Sequence, residues 1–376
     1  MSSFFACLLV LAAFIPANTR QAVSSNLQSS LVEGSQALQR GDDAAAEAAF
    51  RRALALDPQS VEILNDLAIS LVREGKQTQA IAFYERALKI KPHDPITSRN
   101  LGIAYFRAQR YKEALPLLES FAQSHPDFQS FELTGLAFFA LDRYPEAARY
   151  LERASLLQPR DLQTLNFLSK AYWRAKNYKS VANVFARIMA VNPNSPEAHV
   201  MMGKAYDKMS RNEDALAEYK AAEKADPNFM GVHSGLGLLY WKEDKPDLAA
   251  QEFRTELKHF PNDPVSNCLL GEILRKRNQP AQAVPYLRAA LSANPNYKEA
   301  LFELGKCEVM LNHPKEAVAP LRKAIRIDPN YVEAHFVLGA ALRKLGRPAE
   351  AAREQKISEQ IQARKRAHLI HEVSSR

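Results

Sequence analysis

The sequence predicts an all-α fold, a solenoid of tandem helix-turn-helix units closed by a C-terminal capping helix. Three observations carry that prediction. Prolines recur in one register, at 58, 92, 126, 159, 193, 227, 261, 295 and 329, in steps of 34 residues with a single step of 33. A small residue keeps pace with them: Gly34, Gly102, Gly135, Gly203, Gly237, Gly271, Gly305 and Gly339, with Ala68 and Ser169 filling the two gaps. Gly41, Gly75 and Gly346 each follow that slot by seven residues, where a turn between two helices asks for a residue that tolerates positive φ. A period of this length marks a stacked array.

Composition agrees. Of 376 residues 47% are hydrophobic and 24% charged, enough for a continuous core and unlike a disordered chain. The 50 Lys and Arg against 42 Asp and Glu leave a net charge of +8, a mild preference for acidic partners and too small an excess to indicate nucleic acid. Cysteines at 7, 268 and 307 are too few and too scattered for a disulfide framework or a four-ligand zinc site.

Along the chain, residues 1–26 read as a signal peptide or hydrophobic leader. An unbroken apolar run from Phe4 to Ile15 is followed by Pro16, Ala17 and the polar Asn18, Thr19 and Arg20. The run is too short to span a bilayer, so no stable transmembrane span is expected. It fits the apolar part of a leader, with Ile15 and Ala17 before the cut, and the expected localisation is periplasmic or secreted. Only Met1, Ser2 and Ser3 precede the run, with no basic residue, which leaves open a mis-set start or a hydrophobic N-terminal helix on a cytoplasmic protein. Cys7 lies inside the run, and no lipid-attachment pattern ends it.

Ten units then fill residues 27–365. With the closing proline as position 32, repeat six places His199, Met202, Gly203, Tyr206, Ala215, Tyr219, Ala222 and Pro227 at positions 4, 7, 8, 11, 20, 24, 27 and 32. Repeat two places Leu64, Leu67, Ala68, Leu71, Ala80, Tyr84, Ala87 and Pro92 there. This pattern resembles the tetratricopeptide repeat over roughly nine-tenths of the chain. The resemblance implies a right-handed superhelix whose first helices line a concave wall, chiefly through positions 2, 5, 9, 12 and 13, where partners dock.

The residue types also have direct physical reasons. Small residues at 8 and 20 let the two helices of a unit approach, larger ones at 7, 11 and 24 fill the space around them, and the proline stops the second helix. Replacing Gly203 or Gly237 by Leu is expected to overpack that seam at a cost of about 1 to 3 kcal/mol. Stacked units bury one another's apolar faces as a one-dimensional solenoid.

Departures from the pattern predict local differences. Pro126 to Gly135 spans nine residues where Pro92 to Gly102 spans ten, so the loop between repeats three and four is short and an altered stacking angle is expected. Ser30 and Ala37 in repeat one, and Gln355, Ser358 and Ala363 in repeat ten, read as the polar ends a solenoid requires. With no proline at 363, the last helix is expected to continue through Ile357, Ile361, Leu369 and Ile370 and cover the open end. Arg364, Lys365 and Arg366 lead into its basic end, 366–376, read as a solvated cap near a helix C-terminus.

Neither an enzyme nor a cofactor is expected. The residues outside the repeats are too few for a catalytic domain, and no metalloprotease, phosphate-loop, Cys-x-x-Cys or serine-elbow motif occurs. His199, His233 and His335 all occupy position 4 and read as packed core side chains; His368 and His371, even with Glu372, lack a further firm metal ligand. Cys268 and Cys307 are too offset to bridge and read as reduced structural thiols.

The concave wall remains. Position 12 supplies Phe106, Phe139, Trp173 and Trp241; position 13 supplies Arg73, Arg107, Arg174, Lys208, Lys242, Lys276 and Lys344; position 9 adds Lys170, Lys204 and Lys306. Over the fifty wall positions basic residues outnumber acidic ones by 13 to 7. A positive, aromatic peptide-binding groove on repeats three to eight follows, suited to a protein or extended peptide with acidic side chains. Its candidate residues are Phe106, Arg107, Phe139, Lys170, Trp173, Arg174, Lys204, Lys208, Trp241 and Lys242. An aromatic at 12 and Lys at 13 also belong to the family consensus, so plain scaffold surface stands as the alternative. Asn166, Lys170 and Arg174 suggest a clamp for a terminal carboxylate, but Asn is absent from the matching slots of repeats six and seven. The Asn ladder of arrays that precede sugar transferases is also missing, because position 6 reads Asp66, Asn100, Leu133, Phe167, Met201, Gly235 and Leu269. The expected function is a non-catalytic interaction scaffold or adaptor. Its rivals are a self-associating structural element and an accessory subunit of a transferase or secretion machine catalysed by another chain.

Overall fold

Each unit of the period becomes two helices, A then B. The structure is a computed structural model that describes residues 17–374, with side chains from 22 to 367, and no strand occurs among the described residues. Repeat one is α1 (Ala17–Arg40) and α2 (Asp43–Leu56); repeat two, α3 (Val61–Arg73) and α4 (Gln77–Ile90); repeat three, α5 (Pro95–Arg107) and α6 (Tyr111–Ser124). Repeat four is α7 (Phe128–Ala140) and α8 (Tyr144–Leu157); repeat five, α9 (Leu162–Arg174) and α10 (Tyr178–Val191); repeat six, α11 (Pro196–Lys208) and α12 (Asn212–Ala225). Repeat seven is α13 (Val232–Lys242) and α14 (Pro246–His259); repeat eight, α15 (Pro264–Lys276) and α16 (Pro280–Ala293). Repeat nine is α17 (Lys298–Met310) and α18 (Pro314–Ile327), and repeat ten is α19 (Val332–Lys344) and α20 (Pro348–Ser374).

Local chemistry sets these boundaries. Ser60, Asp94, Asp127, Asp161, Ser195 and Asp263 start their A helices by accepting the N–H three residues on, at 2.7 to 3.3 Å. The B helices α8, α14, α16 and α18 instead carry proline in the first turn, where a missing N–H costs nothing. The A–B turn takes a left-handed residue in every repeat. Gly41, Gly75 and Gly346 supply it at φ 72 to 78°, and Gln109, Asp142, Lys176, Ser210, Asp244, Asn278 and Asn312 adopt it without glycine's freedom, at 56 to 59°.

The small slot brings A and B together. A β-carbon built on Gly34, Gly237 or Gly305 would lie 2.7, 2.6 or 2.4 Å from the side chain of Phe50, Phe253 or Leu321, the position-24 residue of the same repeat. Gly339 is the exception, since its nearest neighbour would be the Ala351 carbonyl at 3.3 Å. The position-4 histidines also tie A to B. Nδ1 of His199, His233 and His335 lies 2.7, 2.7 and 2.6 Å from a carboxylate oxygen of Glu218, Glu252 and Glu354, respectively. Packing was expected of these histidines, and the paired glutamates were not.

The chain divides into two compact units, one ending at Asn177 and the other beginning at Tyr178. Phe50, Leu64, Leu67, Leu71, Phe138 and Leu151 are fully buried in the N-terminal unit. At its short loop only His125 and Pro126 separate α6 from the cap residue Asp127. Asp127 and Ser130 cap each other at 2.7 and 3.1 Å, and His125 stacks on Phe121 at 4.6 Å. The C-terminal unit centres on Phe253, Leu270 and Leu287 and holds Cys268 and Cys307, both free and buried. Burial, with nearby glutamates, pushes both thiols up to about 12.

Repeat seven departs from the others. Glu256 replaces the Ala that six repeats carry at position 27 and is almost wholly buried. Its oxygens accept the N–H groups of Gly231 and Ser234 at 2.8 and 3.1 Å, capping α13 where Gly231 offers no side chain. Burial pushes this carboxyl up, and the two backbone donors oppose the shift.

Both ends extend beyond the sequence reading. Helix α1 crosses the expected boundary at 26/27 without a break, while the apolar run 4–15 lies outside the described residues. Helix α20 continues to Ser374 as expected. Its Ile361 is buried, and its Ser358 donates to the Val332 carbonyl at 3.3 Å. Ile357 was expected to join that cover but is 37% exposed. The side chains of Leu369, Ile370, His368 and His371 lie outside the described residues. No helix among the described residues is long and apolar enough to cross a membrane.

Candidate protein-interaction surface

Positions 9, 12 and 13 lie three and four residues apart on a helix, so they form one stripe along each A helix. In repeats two and three that stripe is apolar with an arginine edge. Ile69, Val72 and Ile103 line a cleft of about 230 Å³ whose rim carries Arg73, Asn100 and Arg107. Arg73 is engaged: its Nε lies 2.8 Å from Asp43 and it donates to the Leu38 carbonyl at 3.1 Å. Arg107 is exposed and has no ion-pair partner among the described residues. Burial pushes the Tyr84 phenol at this cleft up, with Asp66 adding to the shift and Arg107 opposing it. Asp66 itself is pushed up by burial and by Glu62.

The aromatic candidates partly serve the scaffold. Phe106 meets Tyr111 edge-on at 5.3 Å, and Phe139 meets Tyr144 at 5.4 Å and Phe167 at 5.7 Å. Lys170 sits 5.5 Å from the Phe167 ring and Arg174 5.6 Å from that of Tyr144, so Phe139, Lys170 and Arg174 share one cluster. Trp173 is half-buried on α9.

The other four candidates, Lys204, Lys208, Trp241 and Lys242, belong to the C-terminal unit. Lys204 and Lys208 have no ion pair among the described residues, whereas Lys242 is bonded to Asp207 on the preceding A helix. Lys276 covers the Trp241 ring at 4.3 Å and pairs with Glu272 at 3.0 Å. Further on, Glu272, Glu299, Glu303 and Glu333 surround a cavity of about 370 Å³ that also holds Phe302 and Tyr331. Arg275 is bonded to Glu303, and Lys306 lies 3.9 Å from the same carboxylate. Burial pushes the Tyr331 phenol up, and all four carboxylates add to the shift. Toward the C-terminal end, largely past the expected groove of repeats three to eight, the wall is mixed, with acidic residues gathered in repeats eight to ten. Pairing between neighbouring A helices was invisible to the count of wall charges, which also left out position 6 and so Glu303.

Stacked helix pairs that present side-chain stripes define an all-α repeat solenoid. The chain belongs to the tetratricopeptide repeat family. That family's model matches residues 31–95, 132–196, 200–264 and 268–332, and a second tetratricopeptide repeat model matches 321–353. A model of anaphase-promoting complex, cyclosome, subunit 3 matches 73–154. RNA polymerase II-associated protein 3 from Homo sapiens is 27% identical over 116 residues, and that from Mus musculus 25% over 114. Each match covers 30% of this chain and 17% of the relative's length. Among solved structures, YrrB is 24% identical over 48% of this chain and 94% of its own, with a TM-score of 0.43. Yeast Tom70 is 15% identical over 93% and 91%, with a TM-score of 0.47.

Proposed function

We propose that this chain is a non-catalytic scaffold or adaptor that holds a partner polypeptide against its A-helix walls. The N-terminal unit takes apolar side chains on Ile69, Val72 and Ile103 and an acidic side chain on Arg107. The supporting observation is that cleft, with an apolar floor, the amide of Asn100 for a peptide backbone and an exposed guanidinium with no ion pair among the described residues. We further propose export through the apolar leader, which would set the compartment of the partner.

Crosslinking pull-down of the full chain from its own cells, read by mass spectrometry, tests both. Partners lost in an Arg107→Glu variant that keeps its helical circular dichroism support the cleft. Capture unaffected by that variant, or self-crosslinks alone with a dimer in light scattering, rejects it. A mature N-terminus near Asn18 supports export, and an intact Met1 rejects it.

A further inference from the structure

On the B-helix side of the C-terminal unit, α18 presents one face formed by Lys315, Val318, Ala319, Arg322, Ile325 and Arg326, residues spaced to align along the helix. With Leu338 of α19 and Glu354 of α20 this face encloses a recess of about 530 Å³. Val318, Ile325 and Leu338 make an apolar floor, and Ala319 leaves the lip low. The rim is cationic. Arg322 is held by Glu350 at 3.0 Å, while Lys315 and Arg326 are exposed and have no ion-pair partner among the described residues. The one acid in the lining, Glu354, is engaged by His335 at 2.6 Å.

This charge is particular to the place. Of the ten repeats only the ninth has a basic residue at positions 18, 25 and 29 together; repeats six and seven begin that series with Glu213 and Asp247. Between residues 314 and 376 there are 13 Lys and Arg against 7 Asp and Glu, a surplus of six in a chain whose net charge is +8. Arg364, Lys365 and Arg366 continue the field as exposed residues of α20.

We propose that this recess is a second docking site, separate from the A-helix walls, for an amphipathic helix of a partner protein with leucine-like side chains on one face and Asp or Glu flanking them. Charge complementarity selects the acids, and the apolar floor along α18 selects anchors spaced i, i+3 or i+4, and i+7. A nucleic acid or an anionic bilayer would meet the rim and leave the floor uncovered.

The test uses the full chain and a fluorescent probe peptide about two heptads long, with Leu at those anchor spacings and Glu elsewhere, followed by anisotropy. Lys315→Glu with Arg326→Glu should weaken binding at least about tenfold, and Ala319→Trp, which fills the recess at unchanged charge, should do the same. Every protein compared carries Arg107→Glu, so that the N-terminal cleft does not compete for the probe, and circular dichroism melts establish that all variants fold. Equal binding by the parent and both recess variants overturns the proposal. So does equally tight binding of a Glu-only peptide, which would reduce the site to diffuse charge. It also fails if phosphatidylserine vesicles or duplex RNA, and not the probe, bind in a way the variants abolish, or if Ala319→Trp instead dissolves a dimer.

Discussion

Replacing Gly305 by Ala adds one methyl group at the narrowest A–B contact of the position-8 glycine slot. The new carbon would stand 2.4 Å from Cγ and 2.6 Å from Cδ2 of Leu321, well inside the roughly 3.5 to 4.0 Å at which carbon atoms attract. Leu321 is fully buried, and the clash falls on its branch point, so α17 and α18 must separate by more than about 1 Å at that level. Overpacking of this kind costs about 1 to 3 kcal/mol, and removing a helix-interior glycine returns about 1. A net loss of about 2 kcal/mol is expected from so deep an overlap. At Gly339, one repeat later, the nearest atom would be the Ala351 carbonyl oxygen 3.3 Å away, so the overlap is far milder and Gly339→Ala should cost at least about 1 kcal/mol less than Gly305→Ala. Leu321→Ala, expected to cost about 2 to 5 kcal/mol alone, should cost distinctly less in the Gly305→Ala background. Guanidinium denaturation with hydrogen exchange of the α17 and α18 amides measures each, since repeat arrays can unfold piecewise. Equal losses at both glycines, or no relief from Leu321→Ala, would refute the seam.

Glu256→Ala restores the residue most repeats carry, yet it should destabilise by about 2 to 3 kcal/mol, because the buried N–H groups of Gly231 and Ser234 lose their acceptor; Glu256→Gln, which keeps one acceptor, should lose less, and thermal melts rank the two. Glu47 is held at about 2, against an ordinary 4.5, by hydrogen bonds to Lys76 and Arg51. A lowered carboxylate contributes stability above its unfolded value and loses it on acidification, so the melting difference between the parent and Glu47→Gln should be full above pH 4.5 and vanish toward pH 2. Gln109 adopts φ 59° without glycine's freedom, and Gln109→Gly should stabilise by up to about 1 kcal/mol in denaturant titration.

The helices were legible because each rests on local signals the sequence states outright. The proline step, the small slot and the cap residues all recur at fixed offsets. The left-handed turn was legible only where glycine marked it, since Gln109, Lys176 and Ser210 take the same conformation under the constraint of the helices on either side. The candidate site was less readable, because its character depends on which side chains of neighbouring A helices meet. Lys242 reads as a free cation until Asp207, thirty-five residues earlier, is seen bonded to it. Phe106 and Phe139 read as wall residues, and their edge contacts with Tyr111 and Tyr144 give them a second, structural duty. Nothing in the local sequence marks Glu256, because the helix start it caps lies twenty-five residues away.

The two buried thiols make the C-terminal unit its own reporter. Cys268 and Cys307 share one core cluster, and no cysteine occurs between residues 17 and 177. With both buried and their thiols pushed up to about 12, neither should react with an alkylating reagent until the packing around it opens. The labelling rate at those two sulfurs therefore times the opening of the C-terminal unit alone, in an unmodified chain and in the presence of any partner. A ligand that docks on that unit should slow alkylation, and one confined to the N-terminal unit should leave the clock unchanged.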